Sequence, residues 1–367
     1  MTVIATKKIN WWRTHFDETD INGLIHTLRN ECVSMGPVTV EFEEAIAKQL
    51  NVPFVVATSS GSMALLMSMM VFNVGQSDEV IIPNRTWIAA AHAAKLLGAK
   101  VVLVDVEKNS PIIDANELEK FITPKTKAIV PTPLNGRSID MQRIWQLAKK
   151  YHFHVIEDAA QGLMCRYREN NEYMGTKSDV GCFSLSVAKL IPTGQGGFIV
   201  THDKSIYEKL ISIRTHGVKD MVFCHFDRLG FNFRITDLQA SLGITQLERI
   251  EQRIAAINRI YLEYERALLS IDCVKLIPVQ LDKGEIPLYV EVLCSKRNLL
   301  VDFLNKRGIQ VRPFYPNLNA AKYLSCHGSF PNAEYFASQG LVLPCGPAQS
   351  LENISLVIEA LKDFSRV

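Results

Sequence analysis

The chain of 367 residues is most informative at first for what it lacks. It contains no block of lysine and arginine, and 40 basic against 38 acidic residues leave a formal charge of +2. A nucleic-acid stripe is therefore not expected. No apolar run approaches the length of a membrane span. The opening stretch "MTVIATKKINWWRTHFD" holds no apolar segment of signal length, so a soluble, cytoplasmic protein is expected. The eight cysteines are scattered, without a CxxC pair or a histidine at zinc spacing, which argues against a metal site or a disulfide scaffold and for buried reduced thiols. G-x-G-x-x-G is also missing, and "GQGG" does not supply it, so a dinucleotide fold is not indicated. There are no internal repeats and no low-complexity linker.

What is present is an alternation. From about residue 50 to 205, β-rich runs ("PFVVATSS", "DEVIIPN", "KVVLVDV", "KAIVPT", "FHVIEDAAQ", "GGFIVTH") are separated by helical patterns such as "GSMALLMSMMVF" and "TWIAAAHAAKLLG". "DANELEKFI" reads as a capped helix, with Asp114 at the cap and Glu117 three residues on. Alternation of this kind predicts an α/β domain with a mostly parallel sheet covered on both faces. Beyond residue 246, Leu247, Ile250, Ile254, Ile257, Tyr261, Tyr264 and Leu268 step by three and four, predicting one long amphipathic helix. It is followed by a strand-like "IPLYVEVL" and a helix ending at Gly308. The expected organisation is a large three-layer domain over 1–245 and a connector helix with a smaller α+β domain over 246–367.

In such sheets ligands bind beyond the carboxyl ends of the strands, which directs attention to 59–62, 84–87, 132–137 and 157–161. "TSSGSMALL" opens a helix on Ser60, Gly61 and Ser62, where free N–H groups and hydroxyls suit an anion, or where serine is a plain cap. "VIEDAAQ" puts Asp158 and Gln161 at a strand end; a buried carboxylate there needs a cationic or proton-bearing partner. Glu157 points to the opposite face, so the two carboxylates should not share a proton. His152 and His154, alternating along the same strand, are read as structural. "FSLSVAKLIPTGQGG" sets Lys189 in an apolar run before Gly194, Gly196 and Gly197. A desolvated lysine has a lowered pKa and attacks carbonyls. Anion cradle, carboxylate and nucleophilic lysine together fit pyridoxal phosphate, whose ring also needs a flat neighbour; Trp87 follows a strand end at a suitable place.

These residues carry a resemblance. The chain resembles the DegT/StrS-type sugar aminotransferases, of the aspartate-aminotransferase (type I) fold of pyridoxal-phosphate enzymes. The likeness lies in "GPVTVEFEEAIAKQL", "SSGSMAL", "PNRTWIAAAHA", "VIEDAAQ", "FSLSVAKLIPTGQGG", "GFNFRITDLQASLGITQL", "GIQVRPFYPNL" and "LVLPCGP", in that order. It implies that Lys189 binds the cofactor as a Schiff base and shuttles the proton, that Asp158 pairs with the ring nitrogen, and that Gln161 contacts the ring hydroxyl. It further implies that Gly61, Ser62 and Ser184 hold the phosphate, that Trp87 stacks on the ring, and that Asn232 reaches the partner's cofactor in a homodimer. L-glutamate is the implied donor and an oxo-sugar of glycan or lipopolysaccharide biosynthesis the acceptor.

Three departures bear on that sugar. Ser186 stands where the family commonly has histidine. Arg85 precedes Trp87 by two positions, and Arg137 follows Gly136 in a strand-end loop. Two arginine forks suit a carboxylate. They direct the expectation to an acidic oxo-sugar such as 8-oxo-3-deoxy-octulosonate, giving 8-amino-3,8-dideoxy-octulosonate. The alternatives are a nucleotide-linked keto-6-deoxy sugar, another type I activity, and a pyridoxal-phosphate-binding regulatory protein without turnover. Sugar dehydratases of the family replace the lysine by histidine, so Lys189 favours amino transfer.

Overall fold

The computed structural model describes residues 8–218, 222, 224–326 and 328–366. Seven strands form the larger sheet: β1 (Phe54–Thr58), β2 (Glu79–Pro83), β3 (Lys100–Val104), β4 (Thr126–Ile129), β5 (His154–Asp158), β6 (Val180–Ser184) and β7 (Gly197–Thr201). Their order is β1-β7-β6-β5-β4-β2-β3. All neighbours are parallel except β7, which runs antiparallel to both β1 and β6. Every residue of β2 and β7 is buried, as expected of strands covered on both faces.

The flanking helices are α1 (Glu18–Arg29), α2 (Pro37–Leu50), α3 (Gly61–Val71), α4 (Ala89–Leu96), α5 (Met141–Tyr151), α6 (Lys204–Arg214) and α7 (Asp237–Glu248). Helix α3, "GSMALLMSMMV", carries no charge at all and packs on β5, β6 and β7 and on α4 and α6. A helix apolar all round belongs inside a molecule. Helix α2 begins without a cap of its own. Asp237, fully buried at the head of α7, accepts from the N–H groups of Gly36 and Thr39 at 2.8 and 2.9 Å and from the Thr39 hydroxyl at 2.6 Å. The carboxylate thus satisfies the free donors of a neighbouring helix start.

Helix α8 (Ile250–Leu268) follows α7 directly. The expected single helix from residue 246 is therefore split at Arg249, whose backbone leaves helical geometry (φ −106°, ψ 17°). A four-stranded antiparallel sheet of order β10-β11-β9-β8 comes next, built from β8 (Lys275–Leu276), β9 (Val290–Leu293), β10 (Arg312–Pro313) and β11 (Gly340–Leu343), with α9 (Arg297–Lys306), α10 (Pro331–Gln339) and α11 (Leu351–Phe364). The first described residues do not stay with the large sheet. Ile9 bridges to Ile309 and Trp12 to Cys345, so this segment is stitched to the C-terminal part.

Two further local expectations are revised. Asp114 and Glu117 do not cap an α-helix: Asp114 accepts from the Asn116 N–H at 3.0 Å, and only a single 3₁₀ turn, Leu118–Phe121, follows. An Asx turn competes with the helix for the same side chain. His152 lies before β5 in the left-handed region (φ 59°), while His154 opens the strand and stacks on Phe72 at 4.0 Å.

Candidate active site

The register of the large sheet explains how distant motifs meet. Thr58 lies opposite Gly197, Gly197 opposite Ser184, and Asp158 opposite Cys182, so the ends of β1, β6 and β5 and the start of β7 share one edge. Ser60 caps α3 there, its hydroxyl accepting from the Met63 N–H at 3.2 Å. Ser62 lies in the first turn of α3, beside the helix's free N–H groups. Close packing dictates glycine at two positions. A Cβ on Gly61 would stand 2.8 Å from the Ser184 Cβ, and one on Gly197 would stand 2.6 Å from the Gly61 nitrogen. The backbone of the loop is thereby pressed against the end of β6, leaving helix N–H groups and the Ser62 and Ser184 hydroxyls as an anion cradle.

Asp158 is 5 % exposed, and one of its oxygens accepts a long 3.3 Å bond from the Ala160 N–H. No other hydrogen bond reaches its carboxylate among the described residues. Burial pushes its pKa up, while the positive charge of Lys189 acts against that rise. Lys189, half-buried, has its own pKa brought down to about 8, chiefly by burial, with the Asp158 carboxylate opposing. No described group is within hydrogen-bond distance of its Nζ. The lysine thus gives up its proton more readily than an exposed one, while most of it still carries that proton at neutral pH. Gln161 is oriented by the Asn135 N–H, which donates to its Oε1 at 2.7 Å and leaves its side-chain NH₂ unengaged. Gln161, Ser184, Lys189, Cys165 and Leu288 line one small cleft.

This donor set fits pyridoxal phosphate. The cradle offers N–H and hydroxyl donors to a phosphate, the under-bonded buried carboxylate has a place for a protonated ring nitrogen, Gln161 has a free donor, and Lys189 is an unpartnered amine. Trp87 is 56 % exposed, its ring edge-on to Tyr315 at 5.6 Å, and it lines a separate groove with Ile88, Tyr315 and Leu318 rather than the Lys189 cleft. Asn232 is exposed as well; its Oδ1 accepts from the Arg234 Nε–H at 2.9 Å. Ser186 accepts from the Lys189 N–H through its carbonyl at 3.0 Å.

The two arginines expected to hold a substrate carboxylate have other work. Arg137 is 2 % exposed. Its guanidinium donates to Glu291 at 2.6 Å and to the carbonyls of Pro278, Ile277 and Leu134 at 3.0, 3.1 and 3.4 Å. Arg85, also 2 % exposed, donates to the Tyr315 carbonyl at 3.1 Å and lies over the rings of Phe314 and Tyr315. Both tie the large sheet to the C-terminal part. The Arg137 fork is filled, whereas Arg85 bonds through one terminal nitrogen and its buried Nε has no partner among the described residues. Glu157, set aside from the sequence, lies on the far side of β5 from the site. It is buried among Tyr167, Ser178 and the Gly175 N–H, and burial raises its pKa to about 7.

Sequence reasoning missed Trp12, Asn135, Arg253 and Tyr289, which surround the lysine loop. The doublet "WW" at the N-terminus was a signal, since two adjacent tryptophans are costly to leave in water.

A family model of DegT/DnrJ/EryC1/StrS aminotransferases matches residues 14–362. A GDP-perosamine synthase of Caulobacter vibrioides is 34 % identical over 89 % of this chain and 90 % of its own. A UDP-2-acetamido-2-deoxy-3-oxo-D-glucuronate aminotransferase of Pseudomonas aeruginosa is 31 % identical over 92 % and 94 %. The sugar aminotransferase Spr1654 of Streptococcus pneumoniae in its PLP form, described as putative, superposes with a TM-score of 0.91 at 25 % identity over 98 % and 99 %. Among the described residues no helix is long and apolar enough to cross a membrane. With the fold, the edge-of-sheet cleft and these relatives in agreement, the chain belongs to the DegT/DnrJ/EryC1/StrS family of pyridoxal-phosphate-dependent sugar aminotransferases.

Proposed function

We propose that the protein transfers an amino group from L-glutamate to the ketone of a nucleotide-linked oxo-sugar, in a homodimer with shared sites. The observation that carries the amino-transfer half is the pairing of an under-bonded buried Asp158 with an unpartnered, half-buried Lys189. The acceptor half is supported by relatives whose names carry GDP- and UDP-linked sugars. It is also supported by Arg137, one of the two arginines behind an acidic octulosonate, whose guanidinium is taken up by Glu291 and three carbonyls. The P. aeruginosa relative, named for a glucuronate, keeps an acidic sugar ring within the nucleotide-linked class.

Pyridoxal phosphate, when bound, supplies an electron sink and carries the amino group between donor and acceptor. The protein's residues supply the rest. Asp158 holds a proton on the ring nitrogen. Gln161, fixed by the Asn135 N–H, donates to the ring hydroxyl. Gly61, Ser62 and Ser184 bind the phosphate, with the head of α3 adding its dipole. Trp87 covers a ring face and excludes water. Lys189 Nζ anchors the cofactor and then takes and returns the proton at the substrate carbon that bears nitrogen; a pKa near 8 suits both directions at neutral pH. Asn232 reaches into the partner's site. The exposed Leu229, Phe231 and Val187 give the apolar surface such a contact needs.

The test is a pair of half-reactions. L-glutamate should convert the yellow holoprotein to the colourless amine form, and a GDP- or UDP-linked keto sugar should restore the colour. Lys189→Ala should do neither. Restoration by 8-oxo-3-deoxy-octulosonate alone would overturn the acceptor assignment. A protein that takes up no added cofactor would overturn the whole reading and favour the regulatory alternative.

A further inference from the structure

The backbone around Lys189 is held by side chains from three remote parts of the chain. The Trp12 indole N–H donates to the Val187 carbonyl at 3.1 Å. The Tyr289 hydroxyl donates to the Ala188 carbonyl at 2.9 Å. The Arg253 Nε–H donates to the Leu190 carbonyl at 2.6 Å. Both carbonyls before the lysine and the one after it are therefore anchored from outside the loop.

Tyr289 is itself fixed through its backbone. Its N–H donates to the Asn135 Oδ1 at 2.6 Å, and its carbonyl accepts from the Asn135 Nδ2 at 2.9 Å. Asn135 is fully buried and left-handed (φ 55°, ψ 34°), a conformation asparagine tolerates better than most residues. Its N–H is the donor that orients Gln161. The Tyr289 ring packs edge-on against Trp12 at 5.7 Å. One continuous chain of hydrogen bonds thus runs from Gln161 through Asn135 and Tyr289 to the residue before Lys189.

This arrangement answers a physical problem. A lysine side chain has large rotamer freedom, and burial disfavours its ammonium. A glycine-rich loop left to itself would let that ammonium swing toward water. We infer that the Tyr289 hydroxyl, locked through Asn135 to Gln161, is a positioning group that holds Lys189 in the site. The inference rests on the reading of Lys189 as the cofactor lysine. Tyr289 needs no contact with cofactor or substrate for this role; it fixes the peptide from which Lys189 projects, in register with the residue expected on the ring hydroxyl.

The experiment uses the full-length protein freed of cofactor. Competitive acetylation of its lysines, followed by peptide mass spectrometry from neutral to alkaline pH, reads the titration of Lys189 directly. The wild-type midpoint is expected near 8. Tyr289→Phe keeps the ring and removes only the hydroxyl. Its midpoint should move up toward the free-lysine value of about 10.4. Loss of one net hydrogen bond corresponds to a drop of about fivefold in reactive amine at neutral pH. The rate of cofactor capture should fall by the same factor. Trp12→Phe, which removes the donor to the neighbouring carbonyl, should shift the midpoint in the same direction and carries the test if Tyr289→Phe melts early. A wild-type midpoint and capture rate in both variants would overturn the positioning role. Borohydride reduction of the wild-type holoprotein separates the two ideas. A cofactor tag mapped to another lysine would refute the reading of Lys189 itself, whereas a tag on Lys189 with unshifted variants would refute only the role of Tyr289.

Discussion

Replacing Arg137 by methionine separates a structural arginine from a substrate-binding one. The guanidinium and the Glu291 carboxylate are 2 % and 9 % exposed and 2.6 Å apart. Arg137→Met strands that carboxylate with only the Asn135 amide at 3.3 Å and leaves the Pro278 and Ile277 carbonyls without this donor. Removing one member of a buried pair costs about 3–5 kcal/mol, because the other charge stays behind. For a chain of 367 residues the unfolding entropy is about 0.8 kcal/mol per kelvin, so the melting temperature should fall by about 4–6 °C. Arg137→Met combined with Glu291→Leu should melt higher than Arg137→Met alone, since no buried charge is then unpaired. Circular-dichroism melts of the cofactor-free proteins at one fixed concentration give the three values. The KM for the sugar acceptor, measured below the melt, should stay within about twofold of wild type, because no bond to substrate is lost. A variant that melts like wild type but raises that KM more than tenfold would refute the structural assignment and return Arg137 to the substrate.

Two other outcomes follow from the site and its surroundings. Gly61→Ala places a methyl 2.8 Å from the Ser184 Cβ, and relieving an overlap of that kind costs about 1–3 kcal/mol. Fluorescence titration of the cofactor-free variant should show pyridoxal phosphate bound at least about fivefold more weakly, and wild-type affinity would remove Gly61 from the cradle. Glu157 has its folded pKa raised to about 7 by burial, against about 4.3 in the unfolded chain. Its contribution is therefore full below pH ~4.3, declines as pH rises toward ~7, and is flat above, because the folded state retains the proton longer. Urea midpoints across this window should decline less steeply in Glu157→Gln than in wild type; parallel slopes would place the titration elsewhere.

Much of the site was legible because its residues occupy the ends of strands, where a short motif carries both its local structure and its position in the sheet. Asp158, Gln161 and Ser62 needed only the alternation of elements to be placed on one edge, whereas Ser184 came only with the resemblance, because β6 is not among the strands the pattern predicts. The reversal of β7 was legible in principle. Residues 185–196 hold two glycines and a proline and no helical period, so they offer no helix for the crossover that a parallel neighbour usually takes. The arginines were misread for a different reason. The partner of Arg137 lies 154 positions away, and nothing near Gly136 announces Glu291. Arg85 was recognisable as a fork but not as one lying over the rings of Phe314 and Tyr315. Tyr289 sat in a run that reads as a half-buried strand, and only the tertiary fold reveals that its hydroxyl ends on a loop 101 residues away. Local pattern specifies elements and termini; it says little about which side chain a buried charge or a bare carbonyl will meet.

The stitching of the first described residues to the C-terminal sheet has a consequence for synthesis. Ile9 and Trp12 leave the ribosome early, yet their backbone partners Ile309 and Cys345 emerge near the end of translation. The sheet edge bearing Asp158 and the cradle is complete once residue 201 is out. Domains fold largely in the order in which they are made. A nascent chain therefore owns the cradle and the carboxylate well before it owns the donors that steady Lys189. Secure capture of the cofactor becomes a late event, coupled to release of the finished polypeptide, so a chain interrupted before its last strand would hold its lysine on an untethered loop.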